Sequence, residues 1–187
     1  IATAQELARS RNWQVLDQFA DSSKADGHYE STGGEILADI DRVDAFVAGL
    51  GTGGTLMGVG RRLKEANPSC RVVAVEPHPG QQVQGLRSLA EGFVPPLLDL
   101  GLLDGKILVR SSDAFRACSE IMRKEAIFAG VSSGAVLHAA FKVAKRIERG
   151  NIVLLFADGG WKYLSTQLWT ADQPETHGEA LDDVFWW

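Results

Sequence analysis

The sequence predicts an α/β domain with a mostly parallel sheet flanked by helices. Short apolar runs, of the kind buried on both faces of a parallel sheet, recur at Ala45 to Leu50, Arg71 to Glu76, Ile107 to Val109 and Ile152 to Ala157. Segments with apolar residues at helical spacing lie between them, as in a succession of βαβ units. With 187 residues, 45% of them hydrophobic, the chain can bury the core of one domain, or of one domain with a piece of another.

In chain order, Ile1 to Ser10 reads as a helix, Trp13 to Phe19 as a strand and Asp21 to Tyr29 as a polar loop. Thr32 to Ile40 is the next expected helix, with Gly33 and Gly34 at its opening. Strand Ala45 to Leu50 leads through a glycine turn into helix Leu56 to Glu65, whose Leu56, Val59 and Leu63 share one face, and then to strand Arg71 to Glu76. From Pro77 to Gly105 the chain is rich in Pro, Gly and Gln, a long irregular stretch of the kind that borders functional sites. After Ile107 to Val109, Ser112 or Asp113 is a suitable N-cap for a helix that turns Phe115, Cys118, Ile121 and Met122 inward. Ala135 to Arg149 forms a further helix with Val136, Ala140, Val143 and Ile147 on its buried side, and Ile152 to Ala157 is the last strand. Beyond Leu168 the composition turns polar before Phe185, Trp186 and Trp187, which reads as a tail whose terminal tryptophans pack on the domain or on a partner subunit.

A formal net charge of -5, without a long block of like charges, offers no electrostatic footprint for nucleic acid or an anionic membrane. Arg61, Arg62 and Lys64 cluster on one helical turn and read as a solvated face. No apolar run approaches the roughly 20 residues that span a bilayer. Cys70 and Cys118 lack metal-ligand spacing, and the N-terminus is unlike a signal peptide, so free thiols in a reducing cytoplasm are expected. His28, His78, His138 and His177 are scattered, and no metal site is expected. The chain opens at Ile1 and enters a helix at once, as part of something longer would.

Gly51-Thr52-Gly53-Gly54-Thr55, between a strand and a helix, is the most informative stretch. Glycines let the backbone approach an anion, the first N–H groups of a helix are unpaired, and the helix dipole favours negative charge. A small phosphorylated cofactor is the first expectation. Two other readings stay open. Gly49 to Gly54 also fits G-x-G-x-x-G, with Glu76 ending the next strand as a ribose-binding acid does, which describes a dinucleotide site. Gly130-Val131-Ser132-Ser133-Gly134 fits G-x-S-x-G, with Asp158 and His177 following in hydrolase order, which describes a serine hydrolase acting through Ser132. The bland readings are a tight βα turn for the first motif and a serine-capped helix start for the second.

Three segments, VDAFVAGLGTGGTLMGVGRRLKE, IFAGVSSGAVLHAA and IVLLFADGGWKYLST, together resemble the cysteine synthase family of pyridoxal-phosphate enzymes, especially its B-type members. The resemblance implies fold type II, the tryptophan synthase β-like fold, with the large domain incomplete. It divides the chain into residues 1–20, the end of a small N-terminal domain; 21–170, the large cofactor-binding domain; and 171–187, a C-terminal tail. The implied cofactor is pyridoxal 5′-phosphate, with Gly51, Thr52, Gly53, Gly54 and Thr55 around its phosphate and Ser132 at its pyridine nitrogen. Gln18 and Phe19 match the family's Gln-Phe at the substrate carboxylate, although Asp21-Ser22-Ser23-Lys24 replaces the usual Asn-Pro-Ala-Asn. Arg87, in GLRSLAEGFVP, stands where B-type members carry arginine, a residue able to clamp a phosphate and so to select O-phosphoserine over O-acetylserine.

By the same resemblance the parent enzyme forms L-cysteine by β-replacement from O-acetylserine or O-phosphoserine and a sulfur donor. Its Schiff-base lysine and its T-S-G-N-T-G substrate loop lie upstream of Ile1, and none of Lys24, Lys64, Lys106, Lys124, Lys142, Lys145 or Lys162 has the lysine's S-x-K setting. The chain then corresponds to a C-terminal part that does not catalyse alone. A cytoplasmic homodimer acting on a small molecule, with a sulfur-carrier protein as a further partner, is the family expectation. A cystathionine β-synthase-like or threonine-metabolising enzyme is a related alternative.

Overall fold

The computed structural model describes residues 2–166 and the backbone of residues 184–186. Strands β1 (Ala45–Gly49), β2 (Arg71–Pro77), β3 (Gly105–Val109), β4 (Ile152–Leu154) and β5 (Val184–Trp186) form one sheet in the order β4-β1-β2-β3-β5. The first four strands run parallel and β5 pairs antiparallel with β3, placing Ile107 opposite Val184. Trp187 lies outside the described residues.

Because side chains alternate across a strand, each central strand feeds two cores. Ala45 and Val47 of β1 and Val73 and Val75 of β2 pack with α5 (Ser111–Glu125) and α6 (Val131–Ala144). Phe46, Ala48, Val72 and Ala74 pack on the opposite face with Leu56, Val59 and Leu63 of α4 (Gly54–Ala66). The uninterrupted apolar runs in the sequence are this double burial.

The other α-helices among the described residues are α1 (Ala2–Arg11), α2 (Ser23–Glu30) and α3 (Thr32–Asp39). Asp21 to Tyr29, expected as a polar loop, is therefore mostly helix. Its stability comes from packing against α4 and not from an apolar face of its own, since Ala25 is its one buried residue. A methyl group built on Gly58 would lie 2.1 Å from the Ala25 carbonyl oxygen and 2.8 Å from the His28 Cβ, so the missing side chain at Gly58 sets how closely α2 approaches. Arg61 and Arg62 are not a simple solvated face: both guanidinium groups lie against the Tyr29 ring, at 4.7 and 5.0 Å, and Arg61 pairs with Asp26 at 2.9 Å.

Trp13 to Phe19, expected as a strand, is irregular. No strand among the described residues pairs with it, and Trp13 and Leu16 are 58% and 84% exposed. A strand needs a neighbour for its N–H and C=O groups, and apolar content does not supply one. Two helix starts also shift. Helix α5 begins at Ser111 with Arg110 as its N-cap, so Asp113 falls in the first turn and pairs with Arg116. Helix α6 begins at Val131 and ends at Ala144, which puts Ser132 and Ser133 inside it.

Replacing Gly58 with alanine is expected to destabilise the protein by about 3 kcal/mol or more, because the new methyl group meets a main-chain carbonyl that cannot rotate away. Denaturant unfolding measures this, and an unchanged midpoint would contradict the close approach of α2 to α4.

Candidate functional site

Strands β2 and β4 flank β1, and the chain reaches them over opposite faces of the sheet, through α4 on one side and through α5 and α6 on the other. Connections that part in this way leave a crevice at the carboxyl ends of the strands, where open α/β sheets bind ligands. The cavity found there, about 290 Å³, is lined by Gly51 to Thr55 after β1 and by Leu155, Ala157 and Asp158 after β4. Ser132, Gly85 and Tyr163 also line it.

The glycine turn is shaped for close approach. Gly53 has φ of +92°, a conformation that side chains other than glycine's rarely adopt, and it is the N-cap of α4. Gly53 has no side chain to cap the helix, and among the described residues the Gly54 N–H meets only Thr52 Oγ1, at a long 3.5 Å, so the N–H groups of the first turn keep bonding capacity for an anion. Gly51 lies tight against the segment that crosses the cavity mouth, where an added Cβ would sit 3.1 Å from the Gly85 carbonyl oxygen. Gly85 in turn faces Ser132: its own added Cβ would lie 3.8 Å from Ser132 Oγ. The structure thus brings the turn and Ser132 to one cavity.

Asp158 anchors the far wall. Its carbonyl accepts the Gly130 N–H at 2.9 Å, and its Oδ2 accepts the Tyr163 hydroxyl at 2.8 Å, with Lys162 Nζ 3.5 Å away. Its Oδ1 is buried without a hydrogen-bond partner among the described residues. Burial, with the hydrogen bond to Asp158 and its charge, pushes the Tyr163 phenol up to about 12.

A second cavity of about 610 Å³ shares Gly51, Thr52, Gly85 and Leu86 with the first and contains Gln18, Phe19 and Arg87. The Arg87 guanidinium lies over the rings of Phe19 and Phe93, at 4.7 and 5.5 Å, and these rings meet edge to face at 5.4 Å. Its main-chain N–H donates to the Leu50 carbonyl at 2.7 Å, which ties the irregular stretch to the end of β1. Gln18 and Phe19, singled out near the start of the sequence, therefore adjoin Arg87 near its middle.

Two alternative readings fail on geometry. Glu76, the acid at the end of β2, is completely buried; its Oε2 accepts the Leu89 N–H at 2.8 Å and its Oε1 lies 3.4 Å from Lys106 Nζ. It holds the irregular stretch to the sheet and is not presented to a ribose. Ser132 sits in the first turn of α6, and no strand leads into that helix, so the strand-turn-helix elbow of a serine hydrolase is absent among the described residues. His177 lies outside the described residues.

In the sequence His28 is one of four scattered histidines. It lies beside the turn, with Nε2 3.2 Å from Thr55 Oγ1 and Nδ1 3.0 Å from Thr32 Oγ1. The available signal was the spacing of Ala25, His28 and Tyr29, which share one face once the segment is helical.

A glycine cradle at a topological switch point, facing a serine at the start of a second helix, is the architecture of α/β proteins that hold phosphorylated small molecules. The chain belongs to the family of pyridoxal-phosphate dependent enzymes, whose pattern matches residues 1–158. It is 42% identical over 161 residues to a cysteine synthase of Aquifex aeolicus, covering 83% of this chain and 49% of that one. It is 35% identical over 164 residues to cysteine synthase B of Pseudomonas aeruginosa, covering 87% and 55%. Among solved structures it resembles O-ureido-L-serine synthase, with a TM-score of 0.82, 36% identity and coverage of 97% of this chain and 58% of the other in its O-ureido-L-serine-bound form. A hydrogen sulfide-producing enzyme superposes with a TM-score of 0.87 at 28% identity, covering 98% and 59%. The fold is that of the type II pyridoxal-phosphate enzymes. The chain spans about half the length of the curated relatives it matches.

The Tyr163 phenol is expected to ionise at about 12 in the folded protein, above its ordinary 10.0 mainly because it is buried, and to drop part of the way in Asp158→Asn, which removes the neighbouring charge but not the burial. Because the folded-state value is raised, the associated stability is complete below about 10 and is lost as pH rises through about 12. NMR titration of carbon-labelled tyrosine follows this directly, and the same Tyr163 value in wild type and Asp158→Asn would contradict its bond to Asp158.

Proposed function

We propose that this chain is the cofactor-binding part of an enzyme that makes L-cysteine by β-replacement on O-acetylserine or O-phosphoserine. The observation that carries the reading is the single cavity shared by the Gly51 to Thr55 turn and Ser132. It fits a compact ligand with an anion at one end and a ring at the other. Residues 1–20 then close a small domain, 21–170 form the large one and 171–187 the tail.

In this reading the main-chain amides of Gly51 to Thr55, with the Thr52 and Thr55 hydroxyls, hold the phosphoryl group of pyridoxal phosphate. Ser132 holds the ring nitrogen. When bound, the cofactor supplies an electron sink for charge developing at the substrate's α-carbon. A neutral hydroxyl at the ring nitrogen, in place of a carboxylate, does not enforce a protonated ring, which favours elimination and replacement over transamination. Gln18 and Phe19 bind the substrate carboxylate. Arg87 binds the leaving group: its guanidinium lies over the Phe19 and Phe93 rings, which steady it without supplying a carboxylate or carbonyl acceptor, so its N–H groups can meet a phosphate. Catalysis needs a Schiff-base lysine that no lysine of this chain matches, so the isolated chain is expected to be inactive. A cytoplasmic homodimer, with a sulfur-carrier protein as a further partner, completes the proposal.

Given pyridoxal phosphate and sulfide, the full-length protein is expected to release L-cysteine from O-acetylserine or O-phosphoserine. Absence of product with both would overturn the reading. Arg87→Ala is expected to lower kcat/KM for O-phosphoserine about tenfold or more relative to O-acetylserine, the loss of a charge-assisted bidentate contact. Unchanged relative rates would reject the role of Arg87.

A further inference from the structure

A guanidinium selects an anion by geometry, so Arg87 discriminates only as well as the segment carrying it is fixed. Two hydrogen bonds hold that segment. The Arg87 N–H donates to the Leu50 carbonyl at 2.7 Å, and two residues further on the Leu89 N–H donates to Glu76 Oε2 at 2.8 Å. The first joins main chain to main chain and survives a change of side chain at either position. The second depends on one side chain, completely buried at the end of β2, whose Oε1 lies 3.4 Å from Lys106 Nζ of β3. As a rule such a buried pair stabilises a fold no more than apolar side chains filling the same space. What the carboxylate adds is direction, because it fixes the Leu89 amide at one point.

We propose that Glu76 is a positioning residue for leaving-group selection: by accepting the Leu89 N–H it fixes residues 87–89 over the carboxyl ends of β1 and β2, and so sets where the Arg87 guanidinium meets a phosphate. The inference rests on the reading of Arg87 as the leaving-group residue and deepens it. The local structure transmits the constraint. Ser88, between the two bonds, is buried, and its hydroxyl accepts the Ala90 N–H at 3.3 Å, so little slack separates Leu89 from Arg87. Leu89 opens a single 3₁₀ turn, Leu89–Glu91, and Phe93, one of the two rings beneath the guanidinium, follows directly after it. A shift of the Leu89 amide therefore moves the arginine and part of its support together. Lys106, held against the other carboxylate oxygen, keeps the carboxyl group from turning away from Leu89.

The test measures, in the full-length holoenzyme supplied with sulfide, the ratio of kcat/KM for O-phosphoserine to that for O-acetylserine. Two paired variants isolate the hydrogen bond from the charges. Glu76→Met with Lys106→Met removes the acceptor and both charges, and is expected to lower the ratio about fivefold, with O-acetylserine turnover within about twofold of wild type. Glu76→Gln with Lys106→Met removes the same charges but keeps a carbonyl oxygen for the Leu89 N–H, and is expected to retain most of the ratio. Leu89→Pro approaches from the donor side. It deletes the N–H where proline is tolerated, since Leu89 is the first residue of its turn and Ser88 before it is extended, with φ of −107° and ψ of 130°. A similar loss is expected, and this variant decides the matter should the paired ones fail to fold. Added to Arg87→Ala, none of these changes is expected to lower the ratio further. Amide hydrogen exchange across residues 86–91 gives a readout apart from turnover, faster in the Met pair and in Leu89→Pro and near wild type in the Gln pair.

Faster exchange with an unchanged ratio would overturn the inference, reducing Glu76 to a structural tether, as would a full additional loss when the Met pair is combined with Arg87→Ala. A ratio that Arg87→Ala itself leaves unmoved would instead overturn the reading of Arg87 on which the inference rests.

Discussion

The crevice at the carboxyl end of β1 exists because the chain leaves the sheet in opposite directions on either side of that strand. One crossover carries α4 over one face and the other carries α5 and α6 over the opposite face. Their starts cannot both cover the end of β1. Two helix N-termini, those of α4 and α6, consequently face one space, and each brings main-chain donors with it. The glycine turn and Ser132 share a cavity as a result of topology, before any particular side chain is considered.

Buried or half-buried charge then fixes what surrounds the crevice. Glu76 receives the Leu89 N–H and the Lys106 ammonium, and so holds an otherwise irregular stretch against the sheet. A carboxylate without water is stable only when such partners are present, which makes this tether directional in a way that an apolar contact is not. Arg87 emerges from the same stretch and is steadied by Phe19 and Phe93, while its main chain is joined to Leu50. The loop is long, but its two functional ends are pinned.

The sequence made legible those features whose causes are local. A strand buried on both faces announces itself by an unbroken apolar run, and β1 and β2 lie close to where the runs placed them. Consecutive glycines between a strand and a helix are a local signal, so Gly51 to Thr55 stood out from position alone, and the structure places them at one cavity with Ser132. Features whose causes lie elsewhere in the chain were not legible. Helix α2 has little apolar signal because α4 supplies its stability, and His28 gains its place only through the cleft at Gly58. Glu76 was recognised as an acid at a strand end, but its partners, Leu89 and Lys106, are distant in sequence. Trp13 to Phe19 misled because apolar residues were present without a neighbouring strand to pair with.

The last described residues give the sheet a boundary. Parallel strand β3 would otherwise end the sheet with a row of open amide and carbonyl groups, a template on which other chains can assemble. Val184–Trp186 occupies that row in the reverse direction. At the opposite border of the described sheet stands β4, only three residues long. Among the described residues the sheet thus begins and ends on three-residue strands, so each margin presents only a short row of open groups, and the segment at the β3 margin returns from the far end of the chain.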